Sequence, residues 1–268
     1  MTIAQRIPTT AILAASNAPI LDTTADDDEL GPLNLEQNGL IHYADPAAWN
    51  GGAPMAVREK ASGLFLRAGA AITPAKIASD PAFNGRPCMD LTGISSSTDL
   101  RIKGSAQSFS HTWVVVATRP NVGRQGLLVN LSLQSSTYMQ ALRVDAAGAL
   151  YYVNTGTGAE NIHSIAVGLL PSNATANVYA VSYSDTTHIS KLYLNSGLAA
   201  ASTFQHPNPA TAAPGTEMCI GGVGQPTGAS LGWLAKIGRV FIFDCALHET
   251  NPSLLAALMD TLRNQQAV

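Results

Sequence analysis

The chain has 268 residues, of which 46% are hydrophobic and only 12% charged, with a net charge of −3. That is enough apolar material for one large β domain or two small ones, and the charged share is about half the usual one. Lysine and arginine form no cluster, which excludes the basic footprint that nucleic acid or an anionic membrane demands, and no apolar run approaches the ~20 residues that cross a bilayer.

Residues 1–38 differ from the rest. They hold Pro8, Pro19 and Pro32, an acidic run at 26–29 and scattered Ile and Leu, with no lasting helix or strand period. They read as an extended N-terminal arm for docking, anchored on a neighbour by Ile3, Ile7, Ile12, Leu13, Ile20 and Leu21. The apolar stretch 11–16 is short and has only Arg6 before it, so no export signal is read. The three cysteines, Cys88, Cys219 and Cys245, are an odd number in a chain without that signal. Reduced thiols in apolar strands are expected, with a Cys219–Cys245 disulfide as the weaker alternative.

From Gly39 onward, short strands alternate with turns. Strands are expected at 39–43, 62–68, 88–91, 100–103, 109–118, 126–133, 137–144, 149–153, 178–183, 189–194, 218–220 and 237–243. The strongest, 109–118, centres on Trp113-Val-Val-Val-Ala, whose β-branched residues suit a buried pleated surface. Turn chemistry stands at 145–148 and 195–197. Helix is expected at 73–79 and at the C-terminus. There Asn251 caps, Pro252 opens, and Leu254, Leu255, Leu258, Met259 and Leu262 share a face. The pattern predicts an all-β antiparallel sandwich over 39–268 behind the arm 1–38.

Four segments in order resemble concanavalin A-like (laminin G-like) jelly-roll domains. They are Gly39-Leu-Ile-His-Tyr-Ala-Asp45, then Asn84-Gly-Arg-Pro-Cys-Met-Asp-Leu91 with Thr98–Ile102, then 178–199 with Leu192-Tyr-Leu-Asn-Ser-Gly197, and finally 237–247 with its helix. Ala235 and Arg239 depart from the pattern, which commonly has Gly and an acidic residue there. The resemblance implies the sandwich. It implies no activity, because this fold serves lectins, glycanases, adhesion modules and virus particles alike.

Catalytic patterns are sought and not found. Retaining glycanases of this fold carry Glu-x-Asp-x-x-Glu on one strand, where alternate residues share a face and two carboxylates flank the bond. The spacing is missing here, as is Gly-x-Ser-x-Gly. The six histidines have no metal-ligand spacing, and most read as surface or strand-flank residues. The acidic run lacks the ligand positions of a calcium loop, at Leu30 and Gln37. No cofactor is expected. Related domains bind calcium at a sandwich edge, but no ligand set can be assigned here. Trp113 reads as core. Trp49, one of the adjacent Tyr151 and Tyr152, and Gln225 in the Gly-rich loop 221–228 are the surface-recognition candidates.

The leading reading is a non-enzymatic structural protein of a phage particle, made in the host cytoplasm. It would be a tail, baseplate or fibre-associated component with a lectin-like domain, and its partners would be other virion proteins or copies of itself, with a host cell-surface glycan as a further one. The alternatives are a capsid decoration protein and a free-standing carbohydrate-binding or adhesion module.

Overall fold

The computed structural model describes residues 30–49, 56–59, 65–68, 77–92, 100–103, 110–119, 125–131, 139–144, 149–156, 159–164, 174–203, 217–221 and 235–266. Among these, sixteen strands are found. They are β1 (Leu40–Trp49), β2 (Ala56–Glu59), β3 (Phe65–Ala68), β4 (Ile77–Ser79), β5 (Pro87–Asp90), β6 (Leu100–Lys103), β7 (His111–Thr118) and β8 (Gln125–Leu131). Then follow β9 (Met139–Val144), β10 (Leu150–Gly156), β11 (Ala159–Ser164), β12 (Ala176–Tyr183), β13 (Ile189–Leu194), β14 (Gly197–Thr203), β15 (Glu217–Ile220) and β16 (Lys236–Phe243). A short helix α1 (Leu247–Thr250) and a longer one, α2 (Pro252–Gln266), close the described chain.

The hydrogen-bonded order is β11-β10-β9-β8-β15-β6-β3-β2-β1-β16-β7-β12-β13-β14, with β5 attached to β16 and β4 to β5. The pairings are antiparallel. A twisted path of so many strands doubles back on itself rather than staying flat. One core joins Trp113, Val115, Val181, Tyr183 and Val240 from one half of the path to Leu142, Leu150, Tyr152 and Ile220 from the other. The fold is the antiparallel β-sandwich expected.

A second core lies on the other side of β16, β7 and β12. It consists of Val114, Val116, Val178, Ala180, Phe241 and Phe243 against Leu254, Leu255, Leu258, Met259 and Leu262 of α2. Successive strand residues point to opposite faces, so these three strands feed both cores at once. Every residue of β7 and β12 is therefore buried. The helix is set as expected: the Leu254 amide donates to the Asn251 side-chain oxygen at 3.1 Å, and Pro252 fills the first turn.

Each expected strand is present, β6 and β13 with the expected ends and the others shifted, and four more appear. β2 and β4 are very short, β11 is polar and β14 is Ala-rich, so none shows the β-branched alternation that marks a strand. The helix expected at 73–79 is corrected in its described part. Ile77–Ser79 pairs with β5, placing Ala78 opposite Cys88, and residues 73–76 lie outside the described residues. The boundary at Gly39 also moves. Leu30 and Leu35, in and beside the 3-10 turns Gly31–Leu33 and Leu35–Asn38, are buried in the second core. The end of the expected arm thus belongs to this domain. Residues 1–29, with all six expected anchors, lie outside the described residues.

Gly238 marks a close approach. A Cβ there would sit 2.9 Å from Gln266 Oε1 and 3.0 Å from the Phe83 ring. Strand β16 therefore runs bare-backed beneath the end of α2. Replacing Gly238 with Val should destabilise the domain by about 1–3 kcal/mol through overpacking. Leu258→Ala, at a fully buried helix position, should cost about 2–5 kcal/mol. Leu198→Ala, at the exposed start of β14, should stay within about 0.5 kcal/mol. Urea unfolding of the three variants measures the ranking.

Candidate functional site

Chemistry-bearing side chains are concentrated inside this fold. At one end of the interlayer core, His111 stacks on Trp113 with ring centroids 4.5 Å apart, and Tyr152 and Tyr183 lie at 5.7 and 5.8 Å from the same imidazole. The Tyr152 hydroxyl and His111 Nε2 share a hydrogen bond of 3.1 Å. All four rings are essentially sealed from solvent. They come together because β7 and β12 pair with His111 opposite Tyr183, while β10 crosses from the facing layer.

On the opposite face of the same strands, Thr112, Ser182 and His248 form a chain. Ser182 Oγ lies 2.7 Å from His248 Nδ1 and 2.8 Å from Thr112 Oγ1, and His248 Nε2 is 3.6 Å from Glu249 Oε1. The residue types are those of a hydrolytic triad. The protons are not. Thr112 donates to the Cys245 carbonyl, which can only accept. The Ser182 hydroxyl must then donate to Thr112, and its oxygen must accept from His248 Nδ1–H. The imidazole gives Ser182 a proton where a general base would take one. Amides of Leu247 and His248 donate to Thr112 Oγ1 and Ser182 Oγ at 2.9 and 3.3 Å. The chain is a dowel fixing α1 to the sheet. Burial holds the His248 imidazole below its ordinary value, helped by Lys191 and opposed by Glu249. Burial works to raise Glu249, but its hydrogen bonds from Thr187 and Ser184, with His248 and Lys191 nearby, outweigh this and hold it low.

A third constellation ties β1 to β16 and α2. Asp45 Oδ2 lies 3.3 Å from Arg239 Nε and accepts from the Tyr43 hydroxyl at 3.1 Å, while Oδ1 accepts from the Ala47 amide at 3.0 Å. Arg239 Nη1 donates to Gln265 Oε1 at 2.8 Å, and Arg86 Nε donates to the Gln265 carbonyl at 3.0 Å. Arg239 and Asp45 are both buried. Arg86 satisfies a last-turn carbonyl of α2 and complements its dipole.

A fourth feature is set by register. Asn130 of β8 stands opposite Gln140 of β9, Gln140 opposite Asn154 of β10, and Asn154 opposite Asn161 of β11. Four adjacent strands thus place a carboxamide residue at one level. Gln140 itself is buried.

The surface-recognition candidates do not converge. Tyr152 is corrected: it is fully buried, packed on His111 and Trp113, because its strand position faces the interlayer core. Tyr151 stands opposite Arg143 and Ser164, and Trp49 opposite Val57, with neither side chain described. Gln225 lies outside the described residues. Trp113 is core, as expected. His42, His111 and His248 are also buried, against the surface reading; each sits where a strand or helix has both sides covered. Cys245 is a free thiol, so the alternative Cys219–Cys245 disulfide does not form. Sequence reading missed the Ser182–His248 and Asp45–Arg239 pairs. The partners are 66 and 194 positions apart, and only the tertiary fold brings them together.

No protein-family model matches the chain, and no curated protein matches its sequence. Solved structures do resemble it. Trypanosoma rangeli sialidase in complex with sialic acid matches 85% of this chain at a TM-score of 0.59 and 14% identity; the chain spans 33% of that sialidase. Domain 4 of AbnA, a GH43 extracellular arabinanase from Geobacillus stearothermophilus in complex with arabinotriose, matches at 0.58 and 12% identity, over 84% of this chain and 98% of that domain. The CBM40 of Ruminococcus gnavus IT-sialidase matches 60% of this chain and 96% of its own at 0.46 and 15% identity. At these identities the likeness establishes the fold, a β-sandwich.

Two outcomes are expected from the buried polar groups. Arg239→Ala strands the Asp45 carboxylate and should cost about 3–5 kcal/mol, whereas Arg239→Met with Asp45→Leu should recover most of the loss; chemical unfolding of both compares them. For His248, the unfolded chain takes up its proton at higher pH than the folded one. Its stabilising contribution is complete above about pH 6.5 and falls away as pH drops through the depressed folded value. Unfolding midpoints should therefore decline from about pH 7.5 to about pH 5, with a shallower slope in His248→Gln.

Proposed function

We propose that this chain is a non-catalytic carbohydrate-binding module. The observation that carries the reading is the match to AbnA Domain 4. It covers nearly all of that domain and most of this chain, and that domain's structure holds arabinotriose. The buried chemistry supports the same reading from the other side: the Ser182–His248 chain is directed away from nucleophilic attack and is committed to holding α1. A module of this kind needs a rigid scaffold with a polar, hydroxyl-reading surface, and it needs no reacting group.

The phage-particle role combined the arm with the missing export signal, the free thiols, the low-charge surface and the lack of catalytic residues. Leu30 and Leu35, at the end of that arm, pack into this domain's own core, and residues 1–29 lie outside the described residues. The glycan-binding alternative therefore takes first place.

Calorimetric titration of the full chain with arabinotriose and with sialyllactose, with and without calcium, tests the proposal. Saturable heat with at least one glycan, and no release of reducing ends on prolonged incubation, is the expected result. Flat isotherms throughout, or steady hydrolysis, would overturn it.

A further inference from the structure

We propose that the outer face of the β13–β14 hairpin is a platform for one neutral sugar ring, with Tyr193 and Leu198 as its floor and Lys191 at its polar rim. The inference rests on the glycan-binding reading above and gives it a place and a ligand class.

A β-bulge builds the floor. The hairpin runs in one register from Ile189 opposite Thr203 to Leu192 opposite Ala200, then skips Ala199, so that Tyr193 stands opposite Leu198. Ala199 and Ala200 both pack toward the interlayer core. Without the skip, Ala199 would stand beside Tyr193, and Leu198 would point inward with Ala200 by strand alternation. The bulge turns the leucine out instead. Leu198 is 56% exposed, the one large hydrophobic side chain so placed among the described residues. Core packing favours the other register, which buries a leucine in place of an alanine. Bulges re-aim side chains and are over-represented beside functional sites, and a ligand that lands on Leu198 gives this one its reason.

Tyr193 completes the floor. It packs at the margin of the second core and is half-buried, whereas every other tyrosine, tryptophan and phenylalanine whose side chain is described is buried. α2 packs on β16, β7 and β12, and β14 gives no residue to that core. The turn between Tyr193 and Leu198 is nailed to β12. The Asn195 amide donates to the Val178 carbonyl at 2.8 Å, its side-chain oxygen accepts from the Val178 amide at 2.9 Å, and its Nδ2 donates to Asn177 Oδ1 at 2.7 Å. A platform fixed beforehand loses little freedom when a ligand lands on it.

Size and charge select the ligand. The floor consists of Tyr193, Leu198 and the exposed Ala201, which stands opposite Lys191. Three side chains fall far short of the about 800 Å² per partner that a stable protein interface buries, but they match the apolar CH face of a single sugar ring. Lys191, two positions from Tyr193 and on the same strand face, offers N–H donors to ring hydroxyls. Glu249 of α1 lies within electrostatic reach of Lys191. The rim therefore carries both signs, and a carboxylate-bearing sugar gains nothing over a neutral one.

The test uses the full chain, its Leu198→Ala, Tyr193→Leu and Lys191→Met variants, and the probes arabinotriose, maltotriose and sialyllactose at low and high salt. The expected result is binding of a neutral trisaccharide that is insensitive to salt. Leu198→Ala and Lys191→Met should each weaken it roughly three- to tenfold, and Tyr193→Leu about tenfold, with the urea midpoint of Leu198→Ala unchanged. Should the Tyr193 variant unfold, methyl spectra of the native chain decide instead: the Leu198 signals should shift on adding the neutral trisaccharide. Leu198→Ala binding like the native protein, Leu198 signals that stay still while other residues shift, a salt-sensitive preference for sialyllactose, or a dimer in sedimentation that Leu198→Ala dissolves would each overturn the platform while leaving glycan binding intact. A native chain that binds none of the probes would remove the glycan-binding reading and the platform with it.

Discussion

The structure depends on one shared sheet. β16, β7 and β12 are covered on both faces, by the facing layer on one side and by α2 with the 3-10 turns on the other. A residue in these strands has no solvent side, so sequence freedom there is small. This accounts for the unbroken run Trp113–Ala117 and for Val240–Phe243, where an ordinary sandwich strand would alternate with polar residues. It also makes α2 part of the core: without the helix, Val114, Val116, Phe241 and Phe243 would face water together.

A sheet sealed on both faces has to satisfy every polar group it carries from within. Thr112 and Ser182 do so by receiving the first amides of α1, which lack partners inside a helix of that length. Arg239 does so by bridging Asp45 on β1 to Gln265 on α2. A buried ion pair of this kind adds little net stability over a well-packed apolar pair. Its geometry is directional, however, and it joins three elements that apolar contacts alone could let slide. Arg239 is one of the residues that depart from the jelly-roll pattern read in the sequence, and Asp45, across the strand pair, is its structural counterpart.

Much of this architecture was legible. Twelve of the sixteen strands, the antiparallel sandwich and the capped terminal helix followed from turn spacing, β-branched runs and the Asn251-Pro252 pair, because those signals are local. What failed to show was non-local or weakly patterned. β14 is Gly-Leu-Ala-Ala-Ala-Ser-Thr, a sequence with no strand preference of its own, and it exists because it completes a two-residue hairpin with β13. Asn195 and Ser196 hold that turn at positive φ, and Asn195 binds back to the Val178 amide. Tyr151 and Tyr152 stayed undecided between two faces because alternation gives two solutions for an adjacent pair, and only the facing layer chooses, burying Tyr152. The function was less legible than the fold for the same reason.

The committed sheet also limits where a ligand can be read. Both faces of β16, β7 and β12 are occupied, so a recognition surface has to come from strands farther along the path. At the β11 end, the cross-strand partners pass from apolar core pairs such as Leu142 and Tyr152 to Gln140 with Asn154 and Asn154 with Asn161. Gln140 stands two positions from Leu142, on the same face of β9, and is itself buried, so the carboxamide row begins as a continuation of the interlayer core.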